Sequence, residues 1–442
     1  MTKIIIIGAG PAGTAAALKA VEAGWDTTLI EKDKLGGTCL QRGCIPTKAL
    51  LEEAHTLQLA RRRFGEIVSD ETAMFARKDA LVEELTTILT RQVETKKIKV
   101  IHGEARFTDA NTIKVNDDFI PGDIFLIATG SKNRVFDFPG NAPLWTSDEA
   151  LFTPLTGNKR ILLIGGGVIG IELAALYHAL GHTVTIFEKE PRILPNVPKD
   201  LVQSIMMDFK KENIRILTSI TITSIKKAEN YIVEYGQATE EFDVVVLCAG
   251  RVPETSTLDL DQAGIFHASG LISVDDSYRT NIPHIFAVGD ASCKVQLAHV
   301  ASKQANLLMD HLIEGKECPD FLIPYAIYTP IQAAWLGKSE DELKAQGIAY
   351  RSFRQPLGGL AKSKIKGDGR RYISVNLDEE HRLLGVSMYM ADASEFLSFF
   401  TLLLEHKLPI TQVCDIVFPH PTLSEAIGEL AVMIRSKNNT SV

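Results

Sequence analysis

One pattern occurs twice in this chain, and the repetition constrains the fold more than any other feature. The apolar run Lys3–Ile7 leads into Gly8-Ala9-Gly10-Pro11-Ala12-Gly13, then an alanine-rich helical stretch to Gly24, then a second apolar run, Thr27–Ile30, that ends at Glu31. The run Arg160–Ile164 leads in the same way into Gly165-Gly166-Gly167-Val168-Ile169-Gly170, a helical stretch to Gly181, and the run Thr183–Phe187 ending at Glu188. Each predicts a βαβ unit. The glycines allow a tight turn and close approach of backbone to a pyrophosphate, the helix N-terminus supplies N–H donors, and the acid at the next strand end suits a ribose diol. Two complete units predict two dinucleotide-binding domains in an α/β protein. Further apolar runs end in turn residues, Ile124–Ala128 before Thr129-Gly130-Ser131, Val244–Ala249 before Gly250-Arg251, and Ile285–Val288 before Gly289-Asp290. They read as buried parallel strands whose carboxyl ends line a ligand cleft, with Asp290 an acceptor for ligand hydroxyls.

Between the two units lies Gly37-Thr38-Cys39-Leu40-Gln41-Arg42-Gly43-Cys44-Ile45-Pro46-Thr47-Lys48. Pro46 opens a predicted helix over Thr47–Leu59. A cysteine at a helix N-terminus has its thiolate stabilised by the dipole and free N–H groups, and a second cysteine in reach makes it half of a redox pair. The run predicts a protein that makes and breaks a disulfide as its chemistry. An inert disulfide or a pair of metal ligands are the alternatives. Zinc sites usually come as two tighter pairs, and Cys248, Cys293, Cys318 and Cys414 form no second pair, so no metal is expected.

The 442 residues, 45% hydrophobic, suffice for several domains with their own cores. A net charge of −8 argues against nucleic acid or an anionic membrane as partner. Arg61-Arg62-Arg63, the densest basic run, lies in a helical stretch and reads as a solvated face. No run reads as membrane-spanning or as a secretion signal, and with a reactive cysteine pair the expected compartment is the reducing cytoplasm. From Pro319 the pattern changes to alternating stretches, Tyr372–Leu377 and Leu383–Met388, and apolar helices, Ser394–Glu405 and Leu423–Ile434, which suggest a separate α+β domain. Lys437–Val442 read as disordered.

Taken in order, Gly8–Gly13, Gly37–Lys48, Ala128–Ser131, Gly165–Glu172, Gly250-Arg251-Val252-Pro253, Ala287–Asp290 and His420-Pro421-Thr422-Leu423-Ser424-Glu425 resemble the motifs of the flavin-dependent pyridine nucleotide–disulfide oxidoreductases. Within that family the chain is most similar to the dihydrolipoamide dehydrogenase branch. The resemblance implies FAD on the first unit and NAD on the second. The implied segments are residues 1–147 (FAD), 148–272 (NAD), 273–318 (the rest of the FAD domain) and 319–442 (an interface domain). Electrons would pass from dihydrolipoyl groups through a Cys39–Cys44 disulfide and FAD to NAD. Cys44 would lie nearer the flavin, and Cys39 would exchange with substrate.

The resemblance also implies a homodimer in which His420, oriented by Glu425, serves the cysteines of the other subunit, and a cis peptide bond at His420–Pro421. The implied partner is a lipoyl-bearing protein of a 2-oxo-acid dehydrogenase complex or the glycine-cleavage system. The implied cofactor-binding set is Gly8, Gly10, Ala12, Gly13, Glu31, Lys32, Gly37, Thr38, Lys48, Ala105, Thr129, Gly130, Gly165, Gly167, Ile169, Gly170, Glu172, Glu188, Gly250, Arg251, Asp290 and Ala298, with Lys48 and Glu172 paired beside the flavin. Glu188 favours NAD over NADP by repelling a 2′-phosphate, and Lys189 softens that preference. Gln41 and Arg42 depart from the usual Asn-Val, which leaves open an NADH-dependent flavoprotein reductase of another disulfide or a quinone.

Overall fold

The computed structural model describes residues 1–367 and 371–439. The chain begins with β1 (Lys3–Ile7), α1 (Pro11–Glu22) and β2 (Asp26–Glu31), then α2 (Gly37–Arg42), α3 (Cys44–Phe64), α4 (Glu71–Thr95), β3 (Lys99–His102) and β4 (Ile124–Ile127). The second glycine motif follows β5 (Arg160–Ile164) and leads into α5 (Val168–Leu180), β6 (Thr183–Phe187), α6 (Lys199–Lys211) and β7 (Arg215–Leu217). Next come β8 (Val244–Leu247), β9 (Ile285–Ala287) and α7 (Ala298–Glu314). The C-terminal part holds β10 (Tyr325–Ile327), β11 (Gln332–Gly337), β12 (Arg351–Pro356), β13 (Tyr372–Leu377), β14 (Leu383–Met390), α8 (Ala393–Glu405) and α9 (Glu425–Asn439). α9 runs through Lys437, which sequence reading assigned to a disordered end; residues 440–442 of that expectation lie outside the described residues.

Two compact units result. The first comprises Met1–Gly165, Leu180–His182 and Thr221–Asp320. Its main sheet is parallel, in the order β9-β4-β1-β2-β3. β1 is apolar from Ile4 to Ile7 because both faces of this sheet are covered. Ile4 and Ile6 pack with alanines of α1 and Ala305, Leu308 and Met309 of α7. Ile5 and Ile7 face the opposite way, against Phe107, Ile113 and Val115 of a three-stranded antiparallel sheet. α1 is alanine-rich because it lies close on the strands. A Cβ at Gly13 would sit 1.8 Å from the Gly8 carbonyl oxygen. β5 pairs in parallel with β8 in this unit.

The second unit comprises Gly166–Ala179, Thr183–Ile220 and the described part of Phe321–Val442. β6 pairs in parallel with β7. The C-terminal strands form an antiparallel sheet, β10-β11-β14-β13-β12. Its apolar side, with Ile373, Val375 and Met388, is covered by Phe400 of α8 and by Ile427, Leu430 and Ile434 of α9. The other side is polar and receives α6. Asp200 accepts hydrogen bonds from the Tyr372 and Ser387 hydroxyls at 3.1 and 2.8 Å, and Asp208 accepts from the Tyr389 hydroxyl at 2.9 Å and Arg371 at 3.0 Å.

Burial pushes the Asp208 carboxyl up, but Lys211, Tyr389 and Arg371 outweigh it and hold the group below its ordinary range. Its stabilising effect is therefore complete above the ordinary carboxylate pKa and lost as pH falls through the depressed value. Asp208→Asn should cost about 1.5–3 kcal/mol at neutral pH, the range for hydrogen bonds to a charged group. Thermal unfolding of variant and wild type should converge as the buffer is taken below about pH 4. A constant difference across that range would refute the assignment.

Candidate active site

Each of the two strand-end acids holds its own glycine loop, in the same way. In the first unit Glu31 accepts the Ala9 N–H on Oε2 at 2.7 Å and the Asp33 N–H on Oε1 at 2.9 Å. In the second, Glu188 accepts the Gly166 N–H on Oε2 at 2.7 Å and the Glu190 N–H on Oε1 at 2.8 Å. One oxygen is fixed to the loop before the helix and the other to the amide two residues on, and each still has lone pairs for a ribose hydroxyl. Burial raises the Glu31 carboxyl, against the opposing pull of its N–H partners.

Around Glu31 the first unit has an open cleft, lined among others by Gly8, Lys32, Ala105 and Thr129. Lys32 lies 3.7 Å from Glu104 and 3.9 Å from Glu254. No side chain caps α1, so its first amides face the loop Gly8–Gly10 without a side-chain partner. Gly37 adopts φ +59°, and a Cβ there would lie 2.6 Å from the Gly10 Cα, so the two glycine segments touch backbone to backbone. The buried Thr129 hydroxyl has no hydrogen-bond partner among the described residues, and a Cβ on Gly130 would meet nothing within 4 Å. An orphaned donor beside open space and uncapped helix amides fit a bound dinucleotide such as FAD.

Asp290 sits in a turn after β9 and accepts the Ser131 hydroxyl at 2.6 Å. Burial raises its carboxyl, opposed by Ser131 and by Arg251. Arg251, next to Gly250, donates to the Ser131 hydroxyl at 2.8 Å, the Ser131 carbonyl at 2.5 Å and the Asn133 amide oxygen at 2.8 Å. The Gly289 N–H before Asp290 is held by Gln304 of α7 at 2.8 Å, on the helix that Ala298 begins. Ser131, Asn133 and Gln304 were not picked out as site residues. Ser131 lies inside a quoted motif, but a serine in a turn carries no signal of its own, and Gln304 is distant in sequence.

Sequence reading expects one helix, from Thr47; the structure has two. α2 carries Thr38 and Cys39, and α3 begins at Cys44 itself, so Pro46 falls inside the first turn, where its missing N–H costs nothing. Gly43 joins them, where a Cβ would come 2.8 Å from the Thr38 carbonyl oxygen. Gln41, left without a role by the sequence, donates to the Leu35 carbonyl at 2.6 Å and the Thr86 hydroxyl at 2.9 Å and so ties α2 to α4. Arg42 pairs with Asp33. Cys39 is half-buried and Cys44 exposed. The hydrogen bond with Cys44, and then burial, push the Cys39 thiol up, and Lys48 one turn along α3 pulls the other way. Cys39 is thus the sulfur that holds its proton, while Cys44 opens α3, where a helix N-terminus favours a thiolate.

In the second unit, His420 Nδ1 lies 2.8 Å from Glu425 Oε1, and the Thr422 N–H donates to Glu425 Oε2 at 2.8 Å. The His420 hydrogen bond, and then the Thr422 amide, hold the Glu425 carboxyl below its usual range. The His420–Pro421 peptide is cis, as expected. The His420 side chain is 70% exposed. Glu172 on α5 is buried and accepts the Tyr328 N–H at 2.9 Å within this unit. Ile169 and Gly170 lie in the first turn of α5, and Gly167 accepts the Ile171 N–H at 3.0 Å while a Cβ on it would meet nothing within 4 Å. Gly165 follows β5 in the first unit, where a Cβ would lie 2.7 Å from the Cys248 carbonyl oxygen. Among the described residues no group of three or more His, Cys, Asp or Glu side chains is arranged to hold a metal, and no helix is long and apolar enough to cross a membrane.

Comparison with known proteins matches residues 2–305 to the pyridine nucleotide-disulphide oxidoreductase model and residues 323–431 to the dimerisation domain of that family. The chain is 33% identical to a dihydrolipoyl dehydrogenase of Chlamydia pneumoniae over 97% of its length and 96% of the relative's. It is 34% identical to the mitochondrial dihydrolipoyl dehydrogenase of Schizosaccharomyces pombe, over 96% of this chain and 88% of that one. Among solved structures it is similar to the HOCl-induced flavoprotein disulfide reductase RclA of Escherichia coli, with a TM-score of 0.90, 26% identity and coverage of 98% and 100% of the two chains.

Proposed function

Because this chain belongs to the pyridine nucleotide-disulphide oxidoreductase family, we propose that it is a dihydrolipoyl dehydrogenase: an FAD enzyme that oxidises protein-bound dihydrolipoyl groups and reduces NAD. The observation that carries the reading is the hydrogen-bonded pair of thiols, Cys39 and Cys44, straddling the α2–α3 junction in the unit whose Glu31 and Thr129 cleft fits FAD. The full-length identity to dihydrolipoyl dehydrogenases supports it.

In this reading a dihydrolipoyl thiolate attacks the Cys39 sulfur of the oxidised pair, forming a mixed disulfide and releasing the Cys44 thiolate. The second lipoyl thiol displaces Cys39 and closes the lipoyl disulfide. Two protons and two electrons leave the substrate: the cysteine pair takes up the electrons, one proton goes to His420 and the other to the leaving Cys39 sulfur. Attack requires a deprotonated thiol, and His420, its Nδ1 engaged by Glu425, takes that proton on Nε2. FAD, when bound, supplies the two-electron relay between the dithiol and the nicotinamide. Lys48 and Arg251 keep positive potential near the thiols. Asp290 and Glu31 hold hydroxyls of the FAD chain and ribose, and Glu188 holds the NAD ribose. His420 comes from a second copy of the chain, which the dimerisation domain supports. The natural partner is the lipoyl-bearing protein of a 2-oxo-acid dehydrogenase complex or of the glycine-cleavage system, in the cytoplasm, where a cycling disulfide belongs.

Steady-state rates with lipoamide, oxidised glutathione and a quinone, each with NADH and NADPH, test the reading. Lipoamide with NADH should exceed every other combination by at least about tenfold in kcat/KM. Faster turnover of glutathione or the quinone would overturn it in favour of another disulfide or quinone reductase.

A further inference from the structure

After Glu188 the chain does not run straight on to α6 but folds back as a strap, residues 189–197, over the second glycine loop. The Arg192 guanidinium holds it closed. It donates to the carbonyls of Leu194 at 3.5 Å, Val197 at 3.3 Å and Pro195. Leu194 is buried and held at φ +49°, a left-handed conformation that a leucine avoids unless its surroundings impose it. In that conformation its N–H donates to the Gly166 carbonyl at 2.9 Å, and Ile193 packs so closely that a Cβ on Gly166 would lie 2.5 Å from its Cγ2. The same Gly166 supplies the N–H that fixes Glu188 Oε2, and Glu190, which fixes Oε1, is itself held through its carbonyl by the Ser219 N–H at 3.0 Å.

We propose that Arg192 is a positioning residue for nucleotide choice: by closing the strap it pins Gly166 and, through it, the Glu188 carboxylate. The inference rests on the reading of Glu188 as the NAD ribose acceptor and adds what makes that acceptor selective. A carboxylate free to rotate could turn away from a 2′-phosphate, whereas one fixed at both oxygens keeps its charge where the phosphate would land. Arg192 contributes a second time. A guanidinium four residues beyond Glu188 would attract a 2′-phosphate if it were free to turn towards it, but here its Nη2 is held by the strap's own backbone carbonyls. Discrimination against NADP thus comes from a fixed negative charge together with a withheld positive one.

The test compares the flavin-loaded wild type with Arg192→Ala and Arg192→Lys. Calorimetric titration of the oxidised enzyme with NAD⁺ should show about tenfold weaker binding for Arg192→Ala. In steady state its KM for NADH should rise by a similar factor with kcat nearly retained, and the ratio of kcat/KM for NADH over NADPH should fall about tenfold. Arg192→Lys keeps a donor within reach of the carbonyls and should recover most of both effects, and it carries the test if the alanine variant fails to fold. Binding and preference within twofold of wild type in both variants would overturn the proposal, as would losses that follow flavin content and thermal stability rather than nucleotide identity. Glu188→Gln serves as the control. If it also leaves the preference unchanged, the ribose-site reading fails; if it shifts the preference and Arg192→Ala does not, the strap alone is refuted.

Discussion

Coexpression of Cys39→Ser and His420→Ala chains should restore about a quarter of wild-type lipoamide activity, although each variant alone is nearly inactive. The expectation follows from an isologous dimer in which each site takes its cysteines from one copy and His420 with Glu425 from the other. A heterodimer then carries both lesions in one site and leaves the other intact. Random pairing makes about half of all dimers heterodimers, each with one working site in two. The exposed His420, oriented by Glu425 at 2.8 Å, is the observation behind it. If His420 served the cysteines of its own chain, every site would hold one lesion. A heterodimer isolated through two different affinity tags and devoid of lipoamide activity would therefore exclude the shared site.

Replacing either thiol should separate the two halves of the reaction. Cys39→Ser and Cys44→Ser should each lower NAD⁺-linked oxidation of dihydrolipoamide about a thousandfold or more, because the substrate dithiol has no disulfide to attack. NADH oxidation by ferricyanide bypasses the disulfide and should stay within about threefold of wild type, provided flavin content is matched. The reason lies in the layout: Cys39 and Cys44 occupy α2 and the first turn of α3, while Glu188 and its strap belong to the other compact unit. Loss of both activities in parallel would mean that the cysteines hold the flavin site together rather than carry electrons. Retention of lipoamide turnover in either variant would remove the disulfide from the mechanism.

Much of this was legible before any coordinates. Lys3–Ile7, Arg160–Ile164, Thr183–Phe187 and Tyr372–Leu377 are strands with the boundaries read from the sequence. Their apolar runs or alternation are set by burial on two faces or one. The acids Glu31 and Glu188 announce themselves by lying at the end of the second strand of a glycine-loop unit. The separate helix α2 did not announce itself. Six residues with glycines at both ends carry too little periodicity, and Pro46 marked the helix start two residues late. Ser131, Asn133 and Gln304 were missed because their roles exist only through partners more than ten residues away, as in the reach of Arg251 back to Ser131 and Asn133.

What the sequence determined by itself is the chemistry: a cysteine pair before a helix, two glycine loops each followed by an acid, and a histidine with a glutamate five residues on. Those signals are local, because hydrogen-bond geometry within a turn or a βαβ unit is fixed by neighbours along the chain. What only the tertiary structure decided is how that chemistry is held. Burial raises the Glu31 and Asp290 carboxyls, the closeness of Cys44 keeps the Cys39 thiol protonated, and Arg192 is committed to three carbonyls. Desolvation and charge pairing depend on what the rest of the fold packs around a group, and no local pattern of residues encodes them.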